Sequence, residues 1–287
     1  MSRVEVRKTH KLFIGGAFPR SESGRTYEVT DANGAFIANV AQASRKDARD
    51  AVLAARAAFA KWSNATAYNR GQVLYRIAEV MEGRRDQFID EIEAGEGVST
   101  KKAAHQIDAS IDRWVWYAGW ADKYAQVLGT SNPVAGPYFD FSIPEPTGVV
   151  AAVAPQDHSL LGLTGVIAPI IVTGNACVVM ASPSRPIPAI TLAECLATSD
   201  VPGGVVNILT GAPAEVMPWI AEHADVNALD LSGIVDESVA LDLERQAAGT
   251  VKRVRRANPN VDWYQTPTLS RIRAFTEIKT VWHPLGA

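Results

Sequence analysis

Cysteine is almost missing from this chain. Its two residues, Cys177 and Cys195, stand in no regular framework, which excludes a disulfide scaffold and fits a reducing, cytoplasmic setting. Histidine is also sparse: His10, His105, His158, His223 and His283 are scattered and match no zinc-ligand spacing, so no metal site is expected. No GxxxxGK(S/T) run is present, so there is no P-loop. Neither sign of charge is in excess. A formal net charge of −3 gives no electrostatic case for nucleic acid or for an anionic membrane. The one dense basic cluster, Lys252-Arg253-Val254-Arg255-Arg256, is short enough to read as a solvated edge strand or loop rather than a nucleic-acid patch. Long apolar runs are lacking too. The longest, Leu160 to Val172, is interrupted by glycines and Pro169 and is too short to span a bilayer. The amino-terminal MSRVEVRKTHK has no apolar core, so it is not expected to be a signal peptide.

What is present suits an ordinary soluble globular protein. At 287 residues with 47% hydrophobic and 21% charged residues, the chain can bury a sizeable core in one or two domains. Its most informative stretch is Glu145 to Pro183. Gly148 to Pro155 is a short β-branched and Ala-rich run, read as a strand buried on both faces. A polar turn, Gln156 to Ser159, follows, and Leu160 to Val172 is apolar nearly all round, as a sandwiched helix would be. Gly174-Asn175 suits a left-handed cap, and Ala176 to Met180 reads as a second buried strand. Strand, helix, strand makes a βαβ unit and a parallel sheet. Ligands in such sheets bind at the strand C-terminal ends, here Pro155 to His158 and Ala181 to Ser184.

Around this unit the pattern predicts two short strands at Leu12–Gly16 and Tyr27–Val29 joined by a Ser/Gly/Arg turn, and another at Ala35–Ala41. A helix follows from the N-cap Ser44 to near Trp62. A helical period runs from Asn69 to Ala94. A long helix from Thr100 to about Val127 carries Trp114, Trp116, Tyr117 and Trp120, an aromatic cluster better read as a helix or subunit contact than as a ligand surface. Later come an amphipathic helix at Ala189–Thr198, strands at Val205–Leu209 and Ala228–Leu231, helices at Ala214–His223 and Val239–Ala247, and a last strand at Val251–Val254. Alternating strands and helices argue a doubly wound α/β sheet.

Three segments carry a resemblance. EPTGVVAAVAP (145–155), APIIVTGNACVVMASPS (168–184) and VPGGVVNILTG (201–211) resemble, in order and spacing, the cofactor-binding domain of the aldehyde dehydrogenase superfamily. KLFIGG and ASRKDARDAVLAARAAFAKW resemble its N-terminal part, and AFTEIKTVWHP (274–284) its last strand. The resemblance implies a Rossmann-like domain over 1–256, with N-terminal helices and an oligomerisation arm near 133–146. It further implies a linker at 257–270 in place of the catalytic thiol domain, and a C-terminal oligomerisation strand within 271–287 that pairs across a subunit interface.

The same comparison implies a degraded site. In that family an asparagine two residues after the strand-ending proline, here Pro155, donates to the oxyanion; Asp157 stands there, and an ionised carboxylate inverts that role. The family's ribose-binding lysine and glutamate correspond to Ala181 and Ser184. Of its later glycines Gly211 remains, while Pro213 and Met217 replace others, with Met217 expected to fill the space. Its Thr-Gly-Ser motif becomes Ser232-Gly233-Ile234. Cys177, inside an apolar strand, and Cys195, on a helix, read as small core residues rather than nucleophiles, so no catalytic residue is expected. An Asp157–His158 acid–base dyad is the weaker reading, since adjacent residues rarely share one geometry.

Two functions remain. One is a catalytically inactive aldehyde dehydrogenase-like subunit that pairs with a full-length active relative, or with itself, through Tyr138–Ile143 and Thr276–Trp282. The apolar tail is expected to be an unpaired edge in need of a partner's sheet. The alternative is a subunit that still binds NAD(P) weakly and contributes to a composite oxidoreductase site. No cofactor is expected to bind tightly.

Overall fold

The computed structural model describes residues 8–286. The segment read above as lacking a signal sequence lies largely outside them. The chain opens with a hairpin, β1 (Thr26–Thr30) and β2 (Phe36–Ala41). Four helices follow: α1 (Arg45–Ser63), α2 (Ala67–Glu82), α3 (Arg85–Glu96) and α4 (Thr100–Trp120). The short α5 (Tyr124–Leu128) then leads into β3 (Thr130–Asn132) and β4 (Tyr138–Pro146). The α/β half runs β5 (Val149–Val153), α6 (Leu161–Val172), β6 (Ala176–Met180), α7 (Ile187–Ala197), β7 (Val206–Leu209), α8 (Pro213–Glu222), β8 (Ala228–Leu231), α9 (Glu237–Ala248) and β9 (Arg253–Arg256). The short α10 (Ser270–Ala274) and β10 (Thr276–Pro284) close it.

The central sheet is parallel throughout, in the order β7-β6-β5-β8-β9. This is the doubly wound order, with its topological switch between β5 and β8. Both faces are covered, and the strands divide their side chains by the two-residue period. Val150, Ala152, Cys177 and Val179 point into the core shared with α2, α3, α4, α6 and α7. Val149, Ala151, Ala176, Val178 and Met180 point into the core shared with α1, α8 and α9. That is why these strands read as unbroken apolar runs.

Local signals place most element ends. Ser44 caps α1 in a reciprocal box with Asp47. Gly174 takes the left-handed conformation (φ 93°) just past α6. Its neighbour Asn175 is buried and donates to the Phe275 carbonyl (2.7 Å) while accepting from the Gly148 amide (2.7 Å).

Several expectations fail for tertiary reasons. Leu12–Gly16 does not pair with Tyr27–Val29. Phe13 instead exchanges hydrogen bonds with Ile208 (2.9 and 2.8 Å) at the edge of the central sheet, and β1 pairs with β2. The periodic stretch from Asn69 to Ala94 is two helices. It breaks at Gly83-Arg84, where Arg84 reaches Glu194 on α7 (2.7 Å). The long helix ends at Trp120, and α5 restarts after a turn. On α4, Trp114 and Tyr117 are buried in the core facing α2, α3 and α6. Helix α7 is buried nearly all round rather than amphipathic, since α2, α3 and β7 enclose it.

Two larger corrections concern the carboxyl-terminal part. Residues 257–269 are a docked segment. Trp263 is only 6% exposed. Its ring occupies the space that a side chain on Gly165 would need: a Cβ at that position would meet ring carbon Cζ3 at 2.6 Å. Arg113 donates to the Trp263 carbonyl. Strand β10 is not an unpaired edge: it runs antiparallel to β4 over nine residues, from Thr276 opposite Pro146 to Pro284 opposite Tyr138. The partner strand is the chain's own. The short α10, anchored by fully buried Ile272 and Phe275, turns the tail back beside β4.

Candidate functional site

The positions named from the sequence, Pro155, Ala181, Ser184, Gly211, Ser232 and Gly233, follow the C-terminal ends of β5, β6, β7 and β8, and Pro155, Ala181 and Gly211 are buried there. After β5, Pro155 is buried and Gln156 accepts from the Ser182 hydroxyl (2.9 Å). Asp157 points into solvent with its side chain 89% exposed, 3.7 Å from Arg185. A carboxylate held there by a cation offers no hydrogen-bond donor to a developing oxyanion. His158 takes φ 56°, and its ring lies edge-on to Tyr264 (5.1 Å). Tyr264 in turn stacks flat on His105 (4.5 Å). Among the described residues no hydrogen bond or ion pair joins Asp157 to His158; Asp157 faces Arg185 and His158 faces Tyr264.

A helix N-terminus is the usual seat for a phosphate, because its free amides and dipole favour an anion. At the start of α6 that seat is taken by the chain's own carboxylate. Glu96 accepts from both the amide and the hydroxyl of Ser159 (2.7 Å each), and the Gln106 carboxamide oxygen accepts from the Leu160 amide (3.1 Å). At α8, Glu215 occupies the first turn and binds Arg25 (2.8 Å) and Gln42 (2.9 Å). The other positions named from the sequence carry no charge to offer. Ala181 is fully buried, and Ser184 is exposed, 3.4 Å from the Ser182 hydroxyl. Gly211 (φ 115°) is pressed against the backbone of Gln42 and Ala43.

A pocket opens between two helices beside the central sheet. Between α8 and α9 lies a cleft of about 500 Å³ whose apolar lining includes Pro213, Met217, Ile234, Val239 and Leu243. Met217 was expected to fill this space. Its side chain is 1% exposed and forms a wall instead.

Both thiols are core groups. Burial pushes Cys177 far above the ordinary thiol range, and it pushes Cys195 up to about 11 against the pull of Arg84. A thiol needs an exposed, electropositive setting to form a nucleophilic thiolate, and neither has one. Among the described residues no group of three or more His, Cys, Asp or Glu side chains could hold a metal ion. No helix among them is long and apolar enough to cross a membrane.

The structure also assembles a group that the sequence reading passed over. Asp230 is fully buried in the strand ALDL. Its carboxylate is 3.0 Å from Arg271 and 3.8 Å from Arg255, and it accepts from Ser232. Ser232 itself accepts from Arg255 (3.0 Å) and Arg271 (3.2 Å). A carboxylate inside an apolar strand demands a cation, and that demand was the available signal. The basic run 252–256 is accounted for in the same way. It forms the edge strand β9, with Arg253 on Glu277 (2.6 Å), Arg256 on Glu244 and Arg255 turned inward.

Comparison with known proteins agrees with this fold. The sequence profile of the aldehyde dehydrogenase family matches residues 18–256. The chain is 31% identical over 263 residues to cytosolic 10-formyltetrahydrofolate dehydrogenase from Pongo abelii and from Homo sapiens, covering 88% of this chain and 29% of each relative. Among solved structures, an NAD+ complex of aldehyde dehydrogenase from Bacillus cereus superposes with a TM-score of 0.81 at 26% identity, over 86% of this chain and 50% of that one. An aldehyde dehydrogenase-like protein from Burkholderia cenocepacia gives 0.82 at 26% identity, over 86% and 50%. The chain thus spans about half the length of those solved structures and under a third of the formyltetrahydrofolate enzymes.

Proposed function

Given that the chain belongs to the aldehyde dehydrogenase family, we propose that it is a catalytically inactive member that acts by associating with another chain of that family, in a structural or regulatory role. The observation that carries the first half is the state of the two thiols, both sealed in the core and both pushed away from the thiolate form. Residues 257–275, which alone lie between β9 and β10, contain no cysteine, and Asp157 stands exposed where the family places its oxyanion donor.

The second half rests on the three-stranded sheet β10-β4-β3. Strand β4 is built inside out. Its polar Asp140 and Ser142 are buried and hydrogen-bonded to Asn132 and Thr280, while Tyr138, Phe139 and Ile143 are exposed. Phe139, Phe141 and Ile143 share one face by the two-residue period, with Val281 opposite Phe141. Ile278 and Trp282, exposed at 52% and 57%, lie opposite Pro144 and Asp140 and so stand on the other face of the same sheet. An exposed apolar face beside an edge strand favours cover by a second chain. The test is native mass spectrometry on protein isolated from its own cells. A complex with a full-length relative, lost on removing residues 276–287, supports the reading; a stable lone monomer refutes it. Purified alone, the chain should reduce no NAD+ or NADP+ in the presence of aldehydes.

A second reading concerns the cofactor. The apolar cleft between α8 and α9 favours retention of the adenine end of NAD(P), which when bound would supply a hydride acceptor. Ala181, Ser184 and the carboxylates Glu96 and Glu215 argue against a firm grip on ribose and diphosphate. Binding is therefore weak, and no heat or thermal shift at millimolar NAD+ or NADP+ would remove this reading.

A further inference from the structure

We propose that the pocket walled by Arg113, Arg255 and Arg271 binds a small oxyanion, the carboxylate or phosphate group of a metabolite-sized ligand. This pocket lies at the C-terminal ends of β8 and β9, where residues 258–268 fold over α4, and encloses about 210 Å³. It is separate from the α8–α9 cleft, which lies on the opposite face of the sheet, and does not depend on whether a nicotinamide cofactor binds. Ligand pockets for drug-sized molecules run from about 300 to 1,000 Å³. A cavity below that range accommodates a phosphate or a short dicarboxylate and not a dinucleotide.

Charge points the same way. Arg255 and Arg271 share one buried carboxylate, Asp230. Arg113 has no ion pair among the described residues; it donates to the carbonyls of Trp263 and Gln265 (3.2 Å to the latter). Asp230 lies behind the pocket and is not part of its lining, whose one carboxylate, Asp262, accepts from the Tyr264 amide (2.9 Å). Three guanidinium groups thus face two carboxylates. Arg271 is nearly buried, with its guanidinium 4.6 Å over the Trp263 ring. Arginine forks match the geometry of carboxylate and phosphate oxygens.

A second observation is independent of charge. Tyr117 lines the pocket, is fully buried, and its hydroxyl has no hydrogen-bond partner among the described residues. Buried hydroxyls are ordinarily satisfied, and one left open costs stability. Burial raises the Tyr117 phenol to about 12, against the pull of Arg271 and Arg113, so the group remains a donor. An oxyanion in the pocket would accept from it and supply the missing negative charge at once.

The test uses the full chain and two probes, inorganic phosphate and malonate, each matched in ionic strength by sodium chloride. Isothermal titration calorimetry and thermal unfolding should show saturable binding and a rise in Tm for at least one probe beyond chloride. Preference for phosphate would identify a phosphoryl ligand, and preference for malonate a carboxylate. Tyr117→Phe removes a hydroxyl that bonds nothing in the free protein, so this variant should fold at least as well as the wild type and bind about tenfold more weakly. Arg255→Gln leaves Asp230 paired with Arg271 and should weaken binding by at least about tenfold. The proposal fails if neither probe exceeds chloride, or if binding is equally strong in Tyr117→Phe. Should Arg255→Gln not fold, the Tyr117→Phe comparison decides alone.

Discussion

Replacing Trp263 by alanine asks whether residues 257–269 are part of the folded body or a tether. Trp263 is 6% exposed, its ring fills the slot above Gly165, and the Arg271 guanidinium covers it at 4.6 Å. Truncating a buried tryptophan costs about 3–5 kcal/mol, including the cavity it leaves. Gly165 has no side chain with which to collapse into that cavity, which places the loss toward the upper end, and the lost cation–π contact adds about 0.5–1 kcal/mol. Against a total stability of roughly 5–15 kcal/mol the expected loss of about 5–6 kcal/mol is severe, and it lowers Tm by on the order of 10 °C. Urea unfolding followed by circular dichroism measures it. Gly165→Ala supplies the internal control. Its Cβ would meet the Trp263 ring at 2.6 Å, so the substitution should be costly in the wild type and nearly free once Trp263 is alanine, a coupling that only direct contact produces. A Trp263→Ala loss below about 1 kcal/mol, or additive effects of the two substitutions, would refute the docked segment.

Further outcomes are expected elsewhere in the molecule. His10 is nearly buried, and desolvation, then the Lys8 charge, lower it from 6.5 to about 4. Its neutral form is favoured in the fold, so the associated stability is complete above pH 6.5 and is lost as pH falls from 6.5 through 4. Compared with the wild type, His10→Gln should lose up to about 3 kcal/mol less across that window, as read from urea midpoints at stepped pH; parallel curves would count against it. At pH 8 a thiol with a value near 11 is thiolate to roughly one part in a thousand. Cys177 and Cys195 should therefore resist alkylation in the native protein and both react in denaturant, as intact-mass measurement will show. A Cβ on Gly233 would lie 2.1 Å from the Ala154 carbonyl oxygen. Gly233→Ala should consequently destabilise by about 1–3 kcal/mol or more through overpacking, detectable as a fall in the urea midpoint.

The α/β half was legible in the sequence because each of its elements is declared by nearby residues. The strand Ala176–Met180 is apolar at every position, and Ser44 with Asp47 announces α1. Gly174-Asn175 ends α6. The three family-like segments then fix the sheet type. The positions of Asp157, Ala181 and Ser184 just past β5 and β6 were legible for the same reason, since they are single letters at countable distances from strand ends. Whether the remaining space is filled was not, and Met217 shows why, since a side chain at a given position can plug a cleft or wall it, depending on how α8 leans on α9.

By itself, then, the sequence determined the parallel sheet, the order of its strands and helices, and the absence of an exposed thiol, because period and local capping act over a few residues. Only the tertiary structure decided which segments close on one another: Phe13 onto Ile208, β10 onto β4, Trp263 onto Gly165, and Arg255 and Arg271 around Asp230. Each of these joins residues far apart in the chain. Their energy comes from burial, backbone pairing and charge neutralisation among groups that carry no mark of their partner in the sequence around them.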